Sequence, residues 1–197
     1  MDLLKKMILE QGQVIEDGEI LKVDSFIDHQ IDTGLMKKIA EEFIVHFKEL
    51  GIINKITKII TIEASGIAVA VVVGMFIERP IIFARKKIPI TLIEKLYSRT
   101  IISPTKNDKV ELVISSKYLG KEDKVFIIDD FLATGTTSIA LIEMIKESGA
   151  EVLGTGAIIE NFFQGGREKI HKKFPDLEIF SLVSIESMNS SGEIIFK

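Results

Sequence analysis

The chain has 197 residues, 46% of them hydrophobic, with no cysteine and a net charge of −4. That length suits one domain with room for a small appended lobe, and the hydrophobic share supplies a core and excludes a disordered chain. The missing cysteines exclude disulfides and Cys-ligated metals, and the acidic balance gives no electrostatic footprint for DNA or RNA.

Leu3 to Glu10 reads as a short amphipathic helix. Its mixed charged and apolar residues lack the apolar core of a signal peptide, so cytoplasm is the expected location. Ile20 to Phe26 reads as a strand. From Thr33 to Leu50, Leu35, Ile39, Phe43 and Phe47 recur at helical spacing and Gly51 ends the helix. Lys58 to Glu63 is a β-branched strand, Ala68 to Phe76 a buried helix, and Ile81 to Ala84 a strand introduced by Pro80. The longest apolar stretch, Ile67 to Ile77, is broken by Gly74 and is too short to cross a bilayer. Thr91 to Asn107 has weak periodicity and carries Ser103-Pro104, so it reads as a loop. Strands follow at Val110 to Ser115 and Lys124 to Ile128, then a helix from Ser138 to Glu147, a strand from Glu151 to Ile159 and a short helix from Arg167 to Lys173. Two further strands lie near Ile179 and Ile194. Alternating β and α segments with apolar strands predict an α/β fold with a mainly parallel, doubly wound sheet.

The run from Val125 to Thr137, Val-Phe-Ile-Ile-Asp-Asp-Phe-Leu-Ala-Thr-Gly-Thr-Thr, carries the chemistry. A buried strand delivers two carboxylates, Asp129 and Asp130, beside a turn of small and hydroxyl residues at a helix N-terminus. Ionised Asp only accepts hydrogen bonds, which suits two neighbouring sugar hydroxyls. In Ala133, Thr134, Gly135, Thr136 and Thr137, the backbone amides, the hydroxyls and the positive helix end suit a phosphate. An apolar run ending in Asp-Asp is also compatible with a Walker B strand, but the chain has no G-x-x-x-x-G-K-[ST] partner. A plain strand-turn-helix whose Asp and Thr residues only cap the helix is the other competing reading.

Ligands of such sheets sit at the carboxyl ends of strands, which selects three more segments. Ala64, Ser65 and Gly66, after a strand-ending Glu63, offer amides to a second anion such as pyrophosphate; an ordinary βα turn explains them equally well. Arg85 and Lys86, with Lys87, follow another strand and would neutralise a leaving pyrophosphate, unless they form a solvated turn. Glu160-Asn161-Phe162-Phe163-Gln164 offers an aromatic face from Phe162 or Phe163 and an amide from Asn161 to a purine. The loop Thr91 to Asn107 is placed to cover the site, with Arg99 or Lys106 as candidate phosphate contacts. The three histidines lack metal-ligand spacing, so no protein-held metal site is expected.

The Val125–Thr137 run resembles the phosphoribosyl-pyrophosphate (PRPP) motif of type I phosphoribosyltransferases. The whole chain is similar to the xanthine phosphoribosyltransferases of Gram-positive bacteria. The likeness is carried by Leu21-Lys22-Val23-Asp24-Ser25-Phe26 with His29-Gln30-Ile31-Asp32, by Thr61-Ile62-Glu63-Ala64-Ser65-Gly66-Ile67-Ala68, by Phe83-Ala84-Arg85-Lys86-Lys87 and by Ile127 to Ala133. The resemblance implies a type I phosphoribosyltransferase fold, one domain over 1–197, with a hood from about 1–30 and 160–197. It implies a homodimer, Mg²⁺ carried by PRPP and pyrophosphate, and transfer of phosphoribose to xanthine. Asp129 and Asp130 then meet the ribose and Ala133–Thr137 hold the 5′-phosphate. Leu21, Asp28 and Asn161 fall on the family's purine contacts.

The chain departs from the family pattern in three places. Asp28 stands where Asn is usual, and Asn161 where Lys is usual. The phosphate loop reads Ala-Thr-Gly-Thr-Thr rather than Ala-Asn-Gly-Gln-Ala. An uncharged Asn161 and an acceptor-only Asp28 leave guanine or hypoxanthine as rival bases. A non-catalytic purine regulator that keeps the PRPP site is a further rival. The short segment before Ile20 is too small for a helical DNA-binding module, and the acidic balance weighs against it.

Overall fold

A strand buried on both faces must feed two cores, and the segment before the acid pair does so. In β7 (Lys124–Leu132), Phe126 and Ile128 enter one core while Val125 and Ile127 enter another, and all four are fully buried. β3 (Lys58–Ile62) alternates the same way, with Ile59 on the first side and Ile60 and Ile62 on the second. The period of two sets this segregation. The computed structural model describes residues 1–87, 95–102 and 108–197.

The first core is covered by α1 (Asp2–Gln11), α2 (Thr33–Glu49) and α3 (Gly66–Ile77). Asp32 caps α2 by accepting the Leu35 N–H at 2.9 Å, and the helix buries Phe43 and Phe47. The second core holds α4 (Thr136–Glu147) through Leu141, Ile142 and Ile145, and α5 (Gly166–Lys173) through Ile170.

With β4 (Ile81–Ala84), β8 (Glu151–Asn161), β9 (Glu178–Met188) and β10 (Ile194–Phe196), the central sheet has the order β10-β9-β8-β7-β3-β4. Every pairing is parallel except that of β10 with β9, so the expected mainly parallel α/β sheet is present. The chain passes outward from β3 to β4, then returns to the other side of β3 with β7. The strand order therefore reverses between β3 and β7, and the carboxyl ends of these two strands flank the crevice where such sheets bind ligands.

Two pieces differ from the sequence reading. The strand expected from Ile20 to Phe26 stops early: β2 (Ile20–Lys22) pairs with β1 (Gln13–Ile15), which the sequence reading lacked, and Asp24–Asp28 form a wide helical turn. The amides of Phe26, Ile27 and Asp28 converge on the Val23 carbonyl at 3.2, 3.0 and 3.5 Å. Phe26 and Ile27 are adjacent and both buried, which an alternating strand does not allow. The loop expected from Thr91 to Asn107 contains β5 (Leu96–Ile102), antiparallel to β6 (Lys109–Ser115). β-Branched and aromatic residues, Tyr97, Thr100, Ile101 and Ile102, give it strand character, and Ile101 packs into the second core. The rest of that expectation, 91–94 and 103–107 with Lys106, lies outside the described residues. Arg85 and Val113 join the hairpin to the end of β4 through reciprocal backbone bonds of 3.0 and 2.9 Å.

Candidate active site

A cavity of ≈ 820 Å³ opens at the switch point. Asp129 and Asp130 line it from the end of β7, and Ala133, Thr134, Gly135, Thr136 and Thr137 line it from the turn into α4. Leu21 of β2, Asp28 of the wide turn and Asn161 at the end of β8 face the same space, as do Ser65 and Lys86. Such a volume lies at the larger end of small-molecule pockets, enough for a substrate and a co-substrate side by side.

The turn after β7 is built to stay open. Gly135 has φ +76, and a Cβ there would lie 2.8 Å from the Gly166 carbonyl oxygen. An L side chain resists that backbone, so glycine permits the tight approach of the turn to α5. Among the described residues, no backbone carbonyl outside α4 accepts from the N–H groups of Thr134 to Thr137. Thr134 Oγ1 and Thr136 Oγ1 meet at 3.1 Å. Free amides, paired hydroxyls and the start of a helix together make an anion cradle.

The acid pair is held unevenly. Asp129 is 7% exposed and its Oδ1 accepts the Asp130 N–H at 3.0 Å. Burial pushes the Asp129 carboxyl well above the usual range, and the neighbouring Asp130 raises it further, with Lys86 opposing. Gly66, at the start of α3, packs against this group: a Cβ there would sit 2.8 Å from Asp129 Oδ1 and collide with Thr61 Oγ1. Asp130 is less buried and faces the cavity.

The second loop is tied by Glu63. Its Oε1 accepts the Lys86 N–H at 2.6 Å and its Oε2 lies 3.7 Å from Arg85 Nε, joining the ends of β3 and β4. Ser65 and Lys86 line the cavity; Ala64 and Gly66 flank Ser65 outside the lining, and Arg85 turns to Glu63 and to the Phe83 ring. Arg99, a candidate phosphate contact, pairs instead with Glu143 at 3.1 Å and Glu147 at 2.7 Å on α4. Two acceptors on the adjacent helix face hold that guanidinium away from the cavity.

At the far end, Asn161 is 5% exposed and its Oδ1 meets no donor among the described residues. A buried acceptor without a partner is costly and marks a place for a ligand donor. Of the two candidate phenylalanines, Phe163 lines the cavity and Phe162 does not. Phe162 borders a separate hollow with Arg167 and His171 and lies under the Lys197 ammonium, 3.4 Å from its ring centre. After Asn161 the chain enters a tight helical turn (Phe162–Gln164), so adjacent residues no longer alternate as in a strand.

Two sets of contacts escaped the sequence reading. Glu19 and Gln164 line the cavity, and Gln164 Nε2 donates to the Glu19 carbonyl at 3.0 Å, tying the β1–β2 ribbon to the segment after β8. Glu160, with its side chain 1% exposed, receives Arg167 Nε at 2.8 Å and Nη2 at 2.7 Å and the Ser184 hydroxyl at 2.9 Å. Burial works to raise the Glu160 carboxyl, but these donors hold it below the usual range. A Glu and an Arg seven residues apart with a strand end between them was the one available signal for this clamp. No group of three or more His, Cys, Asp or Glu residues is placed to hold a metal among the described residues.

A family profile for the phosphoribosyl transferase domain matches residues 30–192. The chain belongs to the phosphoribosyltransferase family. Its full-length relatives include the xanthine phosphoribosyltransferase of Pseudomonas fluorescens (strain Pf0-1), 48% identical over 100% of this chain and 99% of that protein. The xanthine phosphoribosyltransferase of Clostridium novyi (strain NT) is 44% identical over 100% of both chains. Among solved structures, the APRTase of Giardia lamblia complexed with 9-deazaadenine superposes with a TM-score of 0.74 at 20% identity, covering 92% of this chain and 97% of that one. That likeness shows the fold. The phosphoribosyltransferase sheet, its reversal between β3 and β7 and the acid pair at β7 are thus features of one family member, and no described helix is long and apolar enough to cross a membrane.

Proposed function

We propose that the protein is a cytoplasmic purine-salvage pentosyltransferase that moves 5-phosphoribose from PRPP to xanthine and releases pyrophosphate. The observation that carries this reading is convergence: Asp129, Asp130, the 133–137 turn and Asn161, with its unpartnered amide oxygen, line one cavity. The full-length relatives named xanthine phosphoribosyltransferase support the choice of base.

In this reading Ala133, Thr134, Gly135, Thr136 and Thr137 bind the 5′-phosphate, and Asp129 and Asp130 accept the ribose hydroxyls. Ser65 and Lys86 face the diphosphate, with Ala64, Gly66 and Arg85 shaping their loops. Leu21 and Phe163 sandwich the base while Asp28 and Asn161 read its edge. The bond from the anomeric carbon to the diphosphate oxygen breaks as the bond to a purine ring nitrogen forms on the opposite face, and the purine N–H proton leaves to solvent. The developing positive charge on the ribose lies beside the acid pair, so positioning and electrostatics lower the barrier without a covalent intermediate.

The donor set fits Mg²⁺ arriving on its substrate. Among the described residues the lining is acidic with a single lysine, which favours a cation, and Mg²⁺ is commonly held mainly by substrate phosphates and water. Arriving with the substrate diphosphate, toward which Ser65 and Lys86 are assigned, it would supply charge neutralisation of the leaving group. The chain works as one domain with the ribbon and the segment after β8 hooding the base. It forms a homodimer, for which α3 supplies an apolar surface at Val71, Met75 and Phe76 beside Phe83. A monomer mass in sedimentation equilibrium would reject that assembly. Guanine is the second reading, favoured by the carboxylate at Asp28, which accepts from an amino group.

The test is the Asp129→Ala/Asp130→Ala double variant. It should lose PRPP-dependent purine turnover by at least about a hundredfold while keeping its far-UV spectrum. Near-normal turnover would reject the assigned roles.

A further inference from the structure

The cavity is crowded with acids. Its charged lining side chains are Glu19, Asp28, Glu63, Asp129 and Asp130 against Lys86 among the described residues. Asp28 and Asp130 line the same cavity, and Asp130 and then Asp24 of the same turn act on Asp28 as like charges. Two ionised carboxylates have no donor to offer each other, so their proximity favours protonation of one of them. Asp28 keeps contact with cavity solvent, yet its desolvation by the surrounding wall, with Asp130 and Asp24 beside it, pushes its carboxyl up to about 7. A base stacked in the cavity completes that desolvation and disfavours the charge further.

Asn161 cannot separate the 6-oxopurines. Its amide offers an acceptor and a donor side by side, which matches the N–H and C=O of the lactam edge that xanthine, guanine and hypoxanthine share. These bases differ at position 2, which carries an oxygen, an amino group and a hydrogen respectively. Gln164, the neighbouring polar side chain, is engaged with the Glu19 carbonyl. Asp28 lines the same cavity and is the candidate reader of position 2.

We propose that Asp28 reads the purine's 2-substituent through its own proton: as a neutral carboxyl it donates to the 2-oxygen of xanthine, and as a carboxylate it accepts from the 2-amino group of guanine. The assignment rests on the phosphoribosyl-transfer reading above. It makes base choice a function of pH, with xanthine favoured below neutrality and guanine above. Asp130 of β7 and Asp24 of its own turn act on Asp28 directly; Asp129 of β7, Glu19 of the ribbon, Glu63 after β3 and Lys86 after β4 line the same cavity, with His29 next in the chain. All but Lys86 and His29 are acids, so they favour the protonated form.

The experiment measures kcat/KM for xanthine, guanine and hypoxanthine from pH 6 to pH 9 on the wild type and on Asp28→Asn. Each pH unit above the carboxyl's titration thins the neutral form about tenfold. The wild-type xanthine-to-guanine ratio should therefore fall by roughly tenfold or more across the range. Xanthine's own ionisation affects both enzymes alike, so dividing the wild-type ratio by the Asp28→Asn ratio isolates Asp28. That quotient should fall through neutrality, and the corresponding hypoxanthine profiles of the two enzymes should run parallel. A quotient flat with pH overturns the proposal.

Should Asp28→Asn be inactive, calorimetry on the wild type at pH 8 decides. The xanthine and guanine nucleotides are titrated in two buffers of different ionisation enthalpy, and the xanthine nucleotide should draw up more protons. Equal uptake overturns the proposal. Failure of all three bases to turn over with PRPP at any pH, with neither nucleotide bound, removes the phosphoribosyl-transfer reading and this proposal with it.

Discussion

Replacing Arg167 with Ala should destabilise the protein by about 3 kcal/mol and loosen its hold on the purine. Glu160 is essentially enclosed, with two guanidinium contacts at 2.7 and 2.8 Å and a hydroxyl at 2.9 Å. Removing one partner of a buried pair strands the other charge, which typically costs about 3–5 kcal/mol. The lower end applies here because the Arg167 side chain is 34% exposed and already partly screened. For a chain of this length that loss corresponds to a fall in Tm of roughly 6–12 °C. Arg167 Nη1 also donates to the Ile179 carbonyl at 2.7 Å, so the variant frees the junction of β8, β9 and α5. Asn161 directly follows Glu160, and the KM for the purine should rise.

The pH dependence has a definite sign. Glu160 is held below its unfolded value, so its contribution is present above the unfolded carboxylate pKa and is lost as pH falls through the folded one. The Tm gap between wild type and Arg167→Ala, followed by scanning calorimetry, should therefore narrow in acid. A Glu160→Gln/Arg167→Met double variant, with no stranded charge, should recover much of the lost stability. A Tm loss under about 2 °C, or a double variant no better than the single, would refute the reasoning.

Gly135→Ala should raise the KM for PRPP by roughly tenfold and cost about 1–2 kcal/mol of stability, because the left-handed backbone and the Gly166 carbonyl oppose a Cβ; steady-state kinetics and urea unfolding measure the two effects. Phe163→Ala should raise the purine KM several-fold, whereas Phe162→Ala should leave it within about twofold, since Phe163 lines the cavity and Phe162 packs under Lys197. Equal effects from the two substitutions would show that the faces are not divided in this way.

The sheet was legible wherever burial is two-sided. Val125 to Ile128 and Lys58 to Ile62 are apolar or β-branched runs that a central strand requires, and the turn residues after them point to the site. β5 was hidden because a half-exposed hairpin strand has mixed chemistry: Leu96 to Ile102 carries Ser98, Arg99 and Thr100 in its middle, and its pairing with β6 is a non-local fact. The wide turn at Asp24–Asp28 was hidden because Leu21-Lys22-Val23 alternates as a strand does, and only the adjacent burial of Phe26 and Ile27 breaks the pattern. That turn places Asp28 on the cavity wall. Asn161 was legible as a candidate from its place after a strand, but its lack of a partner depends on the packing around it. Phe162 and Phe163 are chemically identical neighbours, and the helical turn that separates their faces leaves no mark in composition. The Glu160–Arg167 clamp needs the β8–β9 pairing to bring Ser184 and Ile179 to it, so no local window contains it.

Steady-state kinetics on the purified chain with PRPP, Mg²⁺ and a panel of xanthine, guanine, hypoxanthine and adenine test the central claim most directly. At pH 6.5 xanthine should give the highest kcat/KM, with nucleotide and pyrophosphate formed in equal amounts. Guanine turned over far faster than xanthine at that pH would contradict the assigned base, and no PRPP-dependent turnover of any purine would contradict the site itself.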